Sequence, residues 1–171
     1  ALSLIYSMAT KRKPTREKVT TERFFREQAE PLEMRLVAGG NGLGRTIIEP
    51  TVNRPSLALA GFTKYIAFKR TQVIGNAEAY YLKSLSVGDR IKRYRKLCSY
   101  KIPCIVFTRN LRIDRELKII ANEVGVPFFH TPMVTMRFVN LATIELDLLF
   151  APRETIQGSM VDVHGVGVLI C

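Results

Sequence analysis

Apolar and polar positions follow two periods along the chain, and the order of these segments predicts an α/β domain. Short apolar or β-branched runs, typical of strands, lie at 34–38, 70–75, 104–108 and 126–131. Segments with apolar residues at helical spacing lie at 20–30, 55–61, 76–85, 86–100, 114–125 and 135–150. The strand–helix–strand–helix order from 104 to 150 predicts βαβ units. We therefore expect a mostly parallel sheet flanked by helices.

Capping residues mark the ends of several of these helices. Thr20 or Thr21 is predicted to cap the first helix, Asn76 the third and Asp114 the fifth, because their side-chain oxygens can accept hydrogen bonds from the first helical turn. Gly125 follows the fifth helix and is predicted to end it in a left-handed conformation.

The helix predicted over 135–150 is apolar on more than one side. Apolar residues three or four positions apart define one recurring face of this helix, and we expect that face to pack on the sheet. Its members are Phe138, Leu141, Ile144 or Glu145, and Leu148.

Four glycines, at 39, 40, 42 and 44, follow the first predicted strand. They match neither GxGxxG nor GxxxxGK[ST], the loops that hold phosphate groups in nucleotide-binding proteins. A turn that needs positive φ angles explains the glycines without a ligand, and we predict a turn.

The end of the chain, MVDVHGVGVLIC, contains two short β-branched runs at 160–163 and 166–170. His164 and Gly165 separate the runs, as in two strands joined by a tight turn. The second run is almost entirely apolar, which is typical of a strand buried on both faces.

Basic residues exceed acidic ones by 26 to 15, which gives a formal net charge of +11. They are densest at 11–18 and 89–97. A nucleic-acid partner would explain such a charge and would bind less tightly as salt is added. The chain carries no RNA-binding aromatic signature and no zinc-finger spacing, so we predict that 89–97 is a helix with one apolar stripe on the core and a solvated basic face.

The three cysteines, Cys98, Cys104 and Cys171, form no CxxC pair, and reduced thiols in the cytoplasm are the simplest interpretation. The apolar runs are too short to span a bilayer, so no membrane association is expected. The first residues place an apolar run before the charges, the reverse of a secretory signal.

Residues suited to catalysis are few in this sequence. Only two histidines occur: His130 follows a predicted strand and is interpreted as structural, and His164 lies in the predicted turn. No set of three or four residues has metal-ligand spacing, and no GxSxG motif occurs. These observations argue against a self-contained enzyme.

From about residue 20 to the end, the chain resembles the N-terminal region of the HPr kinase/phosphorylase family. The resemblance is carried, in order, by LVAGGNGLGR, NRPSLALAGF, RTQVIGNAEAYYLKSL, YKIPCIVFTRNL, VPFFHTPMVTMRFVNL and APRETIQGSMVDVHGVGVLI. The patterns RPxLxLAGF and VDVxGVGVLI are specific in combination.

This resemblance implies an N-terminal α/β domain, similar to a substrate-binding domain of cell-wall ligases, followed by a P-loop kinase domain. In the family, the kinase domain uses ATP and Mg²⁺ to phosphorylate a serine of the phosphocarrier protein HPr in carbon catabolite regulation. It also removes that phosphate by phosphorolysis, and family members form hexamers. The implied divisions are a basic arm at 1–19, the α/β domain at 20–151, and a linker with the first kinase-domain strands at 152–171.

In the family, the P-loop follows the strand that matches 166–170, so we expect it directly beyond Cys171. Without it, residues 1–171 are predicted to be inactive and to bind no cofactor. The alternative, a stand-alone ligand- or partner-binding module without kinase activity, stays open at this point.

The resemblance yields two weak candidates near an active site, Gln157 and Asp162, and no catalytic, cofactor or metal residue. Gln157 replaces a family histidine implicated in catalysis, and glutamine cannot shuttle a proton near neutral pH. Asp162 matches the family, although it could equally satisfy the backbone of a turn. Arg54 could bind an anion, but we favour hydrogen bonds to carbonyl groups that anchor a turn.

Overall fold

Four of the five strands in the central sheet run parallel. The computed structural model describes residues 18–152 and the backbone of Ser159–Val163 and Val166–Ile170. The strand order is β2-β7-β6-β5-β4, and β2 is an antiparallel edge strand beside β7. This arrangement confirms the predicted α/β fold with a mostly parallel sheet. The strands are β2 Arg35–Ala38, β4 Val52–Asn53, β5 Thr71–Ile74, β6 Ile105–Phe107 and β7 Phe128–His130.

Six helices cover the two faces of this sheet, and a short antiparallel pair lies beside it. The helices are α1 Thr21–Gln28, α2 Ser56–Ala60, α3 Asn76–Ser84, α4 Val87–Cys98, α5 Arg115–Val124 and α6 Thr135–Phe150. The pair consists of β1 Val19–Thr20 and β3 Thr46–Ile47.

Alternate residues of the central strands supply two hydrophobic cores. Ile74, Phe107 and Phe128 pack in one core with residues of α2, α3, α4 and α5. Their chain neighbours point to the other face and pack with residues of α1 and α6. This period of two is the geometry of a strand buried on both sides, which explains why the sequence of these strands is almost wholly apolar.

The helix ends confirm two of the predicted caps and correct a third. The Thr20 side chain accepts a hydrogen bond from the Arg23 amide at 3.1 Å, and Gly125 ends α5 with φ of +62°. The prediction of Asn76 as a cap was wrong by one residue, because Gly75 is the N-cap of α3. Asp114 does hold the N-cap position of α5, but its carboxylate pairs with Arg90 at 2.6 Å.

The inner face of α6 differs from the predicted one. Phe138 is buried as expected, but Ile144 and Leu148 are 55% and 59% exposed. The residues that pack inward are Thr135, Phe138, Ala142, Leu146 and Leu149. Because apolar residues occur around most of this helix, spacing alone could not select the face that meets the sheet.

The basic segment 89–97 forms most of α4, as predicted, with Tyr94, Leu97 and Cys98 buried against the core. Several of its cations interact within the domain. Arg90 pairs with Asp114, and Arg95 pairs with Glu123 at 2.7 Å. The apolar stripe and the polar outer face of the prediction are both present.

The glycine-rich segment forms a tight turn, as predicted. Gly39 has φ of +73°, and Gly40–Gly42 form a single 3-10 turn. Arg45, directly after this segment, donates hydrogen bonds to the carbonyl oxygens of Ile102, Val124 and Gly125. One guanidinium therefore ties the turn to the end of α5 and to the loop before β6.

Cys98 and Cys104 are buried and form no disulfide, whereas Cys171 lies outside the described residues. Burial raises the pKa of each thiol to about 12. The reactive thiolate is therefore scarce at any physiological pH.

We expect neither buried thiol to react with iodoacetamide at pH 8 while the chain is folded. The measurement is mass spectrometry of a Cys171→Ser variant, alkylated in native buffer and in denaturant. Both thiols should be labelled in denaturant, which serves as the control. Labelling in native buffer at the denatured rate would contradict the burial of these side chains.

The two terminal strands form an antiparallel hairpin, β8 Ser159–Val163 with β9 Val166–Ile170. This pairing confirms the predicted strands, and Asp162 lies opposite Gly167 in its register. The hairpin belongs to a separate unit from residues 18–150. Gln157 and His164 lie outside the described residues.

Candidate functional site

Polar side chains collect where the parallel strands end. Loops leave the carboxyl ends of β4, β5, β6 and β7 at the same edge of the sheet. In open α/β sheets this edge is where ligands bind, because the loops can vary while the strands hold them in place. We call this region the carboxyl edge.

Arg54 and Glu78 form an ion pair at the carboxyl edge. Arg54 follows β4, and its Nε and Nη2 atoms donate to the two carboxylate oxygens of Glu78 at 3.1 and 2.9 Å. The Glu78 side chain is fully buried, whereas the Arg54 side chain is 45% exposed. The preferred interpretation of Arg54, a turn anchor bonded to carbonyl groups, was wrong. Its guanidinium binds a buried carboxylate, and Arg45 is the residue that binds carbonyl groups.

Two further donors complete the surroundings of the Glu78 carboxylate. The Ser56 hydroxyl donates to Oε1, and the Gly75 amide donates to Oε2 at 2.9 Å. Burial by itself would raise the pKa of Glu78. The hydrogen bonds from Arg54, Ser56 and the amides of Glu78 and Gly75 outweigh it and hold the pKa below its ordinary value. Glu78 is therefore ionised, and its carboxylate links the segments that follow β4 and β5.

A pair of threonines fixes the neighbouring loops. The Thr108 hydroxyl donates to the Ile74 carbonyl at 3.1 Å and lies 2.7 Å from the Thr135 hydroxyl. Since a hydroxyl has only one proton to donate, Thr135 donates to Thr108. This chain of hydrogen bonds connects the ends of β5 and β6 to the start of α6. Gly75 is required beside it, because a Cβ there would lie 2.7 Å from the Thr135 hydroxyl oxygen.

The loop after β6 has two consecutive left-handed residues, Arg109 with φ of +58° and Asn110 with φ of +53°. Hydrogen bonds hold this backbone, since the amides of Arg109 and Asn110 donate to the carbonyl groups of Met133 and Thr131 at 2.9 and 3.3 Å. This conformation is uncommon for non-glycine residues other than asparagine and aspartate, so Arg109 depends on these hydrogen bonds to keep it. The Arg109 side chain is thereby placed beside the start of α6.

The described residues form cavities along this edge, and Arg54 lines two of them. The first, of about 270 Å³, is lined by Arg54, Asn76, Ala77, Arg109, Thr135, Met136 and Val139. The second, of about 300 Å³, lies between α2 and the segment that follows it, with Leu57, Phe62 and Tyr65 on its walls. The third is larger, about 570 Å³, and has charged walls that include Arg112, Asp114, Arg115, Glu116 and Lys118.

The structure brings together few of the residues that the sequence singled out. Arg54 lines two cavities of the carboxyl edge, and His130, at the end of β7, lines the 570 Å³ cavity. Asp162 is described only as a backbone position of β8, so the candidate pair of Gln157 and Asp162 stays a prediction. Glu78 was missed. The sequence feature that could have identified Glu78 is its position in the first turn of a predicted helix, where the side chain of a glutamate commonly accepts a hydrogen bond from the amide of the capping residue.

Within the described part of the chain, no group of three or more His, Cys, Asp or Glu side chains could hold a metal ion. No helix of the described residues is long and apolar enough to cross a bilayer.

The fold and the carboxyl edge define the class, an α/β domain with a polar edge site on a mostly parallel sheet. Comparison with known proteins then gives the family. Residues 19–146 match the family described as HPr Serine kinase N terminus, so the chain belongs to that family. The predicted relationship to HPr kinase is confirmed, and the chain is an N-terminal domain of this family.

Curated relatives agree with this assignment. The chain is 37% identical over 166 residues to an HPr kinase/phosphorylase of Chloroherpeton thalassium, an alignment that covers 95% of the chain and 49% of the relative. It is 40% identical over 139 residues to the HPr kinase/phosphorylase of Geobacter sulfurreducens, covering 81% of the chain and 44% of the relative. The chain thus spans about half the length of the curated relatives it matches.

A solved structure shares the fold. The CBS and DRTGG domains of the regulatory region of Clostridium perfringens pyrophosphatase, crystallised with the activator diadenosine tetraphosphate, match with a TM-score of 0.51. The match covers 75% of this chain and 50% of that one at 12% identity. At this identity the likeness concerns the fold alone.

Proposed function

We propose that the chain is the N-terminal part of an HPr kinase/phosphorylase, an enzyme that transfers phosphate from ATP to a serine of HPr and removes it by phosphorolysis. The observation that carries the proposal is the 166-residue alignment with a relative of that name, which extends beyond the last residue of the family match at 146. It therefore includes both the α/β domain and part of the segment that contains the terminal hairpin.

ATP and Mg²⁺ are proposed to bind in the half of the parent enzyme that the relatives contain in addition to this chain. Phosphoryl transfer needs a loop of backbone amides and a lysine around the phosphates, together with a hydroxyl ligand for Mg²⁺. In the HPr kinase/phosphorylase family, that loop follows the strand that matches β9. Residues 1–171 by themselves are accordingly proposed to be inactive.

The role of this domain in the parent is proposed to be regulatory or structural, through a bound ligand, a partner or support of the oligomer. The ion pair and the threonine pair at the carboxyl edge fix the loops of the site. A fixed set of loops supports a binding role, because the site is organised before a ligand arrives. A hexameric, cytoplasmic enzyme acting on HPr remains the proposal for the whole protein.

The proposal predicts that the full-length protein phosphorylates HPr and that residues 1–171 do not. The measurement is incorporation of labelled phosphate from ATP into HPr with Mg²⁺, with the two proteins assayed side by side. An HPr variant that lacks the target serine is the control for specificity. Phosphorylation by residues 1–171 would contradict the proposed inactivity of this part of the enzyme. An inactive full-length protein would contradict the kinase assignment and favour a module without kinase activity.

A further inference from the structure

The 270 Å³ cavity at the carboxyl edge has features of a binding site that neither the family relationship nor the kinase proposal explains. We call it the edge cavity. Two of its lining residues, Arg54 and Arg109, are cations, and no carboxylate is among the described residues that line it. Arg109 contributes a positive charge, and Arg54, whose charge is balanced by Glu78, contributes N–H donors beyond those in the ion pair. Guanidinium groups donate and do not accept hydrogen bonds, so this lining favours an anion.

Arg54 is held in one orientation by the buried carboxylate of Glu78. The Nε and Nη2 atoms are engaged in that ion pair, so the plane of the guanidinium is fixed. Its third nitrogen, Nη1, is not part of the pair, and the side chain is 45% exposed although it is bound on one edge. Arg54 can therefore bind Glu78 and a ligand at the same time.

Arg109 also lines this cavity and is held in place by its backbone. Its amide and that of Asn110 are bonded to carbonyl groups of the loop before α6, which fixes the left-handed conformation of both residues. The Arg109 side chain itself is exposed. A solvent-exposed arginine that rises from a fixed backbone keeps its charge accessible and loses less conformational freedom on binding than one in a mobile loop.

The rest of the lining is apolar or uncharged. Ala77, Met136 and Val139 provide the apolar wall, and Asn76 contributes an amide. The volume of about 270 Å³ lies just below the lower end of the range for small-molecule sites, which is about 300 Å³. It leaves room for a compact organic group attached to the anion.

We propose that the edge cavity binds the oxyanion group, phosphate or carboxylate, of a small anionic molecule, with Arg54 and Arg109 as the two guanidinium groups that contact it. Guanidinium groups bind both kinds of oxyanion through paired, charge-assisted hydrogen bonds. The proposal does not depend on the activity of the parent enzyme.

The test is a titration of the 171-residue chain with phenyl phosphate and with benzoate, followed by calorimetry and by amide chemical shifts. Phenol is the uncharged control. The key variant is Arg109→Asn, because asparagine tolerates the left-handed backbone. The matched control is Arg115→Gln, which removes an exposed arginine from the neighbouring 570 Å³ cavity. Unfolding temperatures of both variants are measured to confirm that they remain folded.

We expect at least one of the two anions to bind and to shift the amides of Asn76, Ala77 and Arg109. Arg109→Asn should weaken this binding by about tenfold or more, whereas Arg115→Gln should change it by less than about twofold. The anion that binds more tightly identifies phosphate or carboxylate as the preferred group. The proposal is overturned if neither anion binds at millimolar concentration, if phenol binds as well, or if both variants weaken binding equally.

Discussion

Replacing Glu78 with alanine is expected to lower the free energy of unfolding by about 3 kcal/mol. The substitution removes the carboxylate that accepts hydrogen bonds from Arg54, Ser56 and the Gly75 amide. The Gly75 amide is buried and would be left without its partner. Chemical denaturation of the variant and the parent chain measures the difference.

The same carboxylate makes the stability depend on pH in a definite direction. Because the folded-state pKa of Glu78 lies below its unfolded value, its contribution is fully present above the unfolded value of about 4.3 and is lost as pH falls through the folded pKa. The parent chain should therefore lose more stability than Glu78→Ala in that acid range.

Glu116→Ala is a matched control for this prediction. Glu116 also lies in the first turn of a helix, but it is exposed. Its replacement should change stability by no more than about 0.5 kcal/mol. If the two variants were equally stable, the buried ion pair would have no part in holding the carboxyl edge together.

Gly42→Ala is expected to destabilise the domain by about 3 kcal/mol or more, or to prevent folding. An added Cβ at Gly42 would lie 2.0 Å from the carbonyl oxygen of Gly125 and 2.5 Å from its carbonyl carbon. Both neighbours are backbone atoms at the end of α5, so no side-chain rotation can make room. The glycine is needed for this close approach of two backbones.

The control for this prediction is Gly44→Ala, two residues along the same loop. Nothing lies within 4 Å of a Cβ at Gly44, so this variant should be as stable as the parent chain to within about 0.5 kcal/mol. Thermal and chemical unfolding of the two variants provide the comparison. Equal stability of both would show that the turn does not pack on α5 as described.

The parts of the fold that could be predicted depend on local signals. Thr20 and Gly125 were identified because capping chemistry involves residues close together in the sequence. The parallel strands followed from the alternation of apolar strands with helices, which restricts how the chain can connect them. The terminal hairpin was predicted from another local signal, two β-branched runs that are separated by two residues.

The parts that were missed depend on contacts between distant residues. Arg54 and Glu78 are 24 residues apart, and no local pattern connects an arginine after one strand to a glutamate after the next. The inner face of α6 was wrong for a related reason. Apolar residues form several stripes along this helix, and only its packing on the sheet determines which stripe is buried. The carboxyl edge is formed from residues contributed by four loops, so its geometry could not be derived from any single segment.

Reading the coding sequence beyond the codon for Cys171 shows whether this chain is the N-terminal part of an HPr kinase/phosphorylase, as we propose. We predict a GxxxxGK[ST] loop within a few residues of β9, followed by a kinase domain of about the length that the relatives have in addition to this chain. A stop codon at that point would contradict the kinase assignment. The domain would then be a separate binding module of the same family.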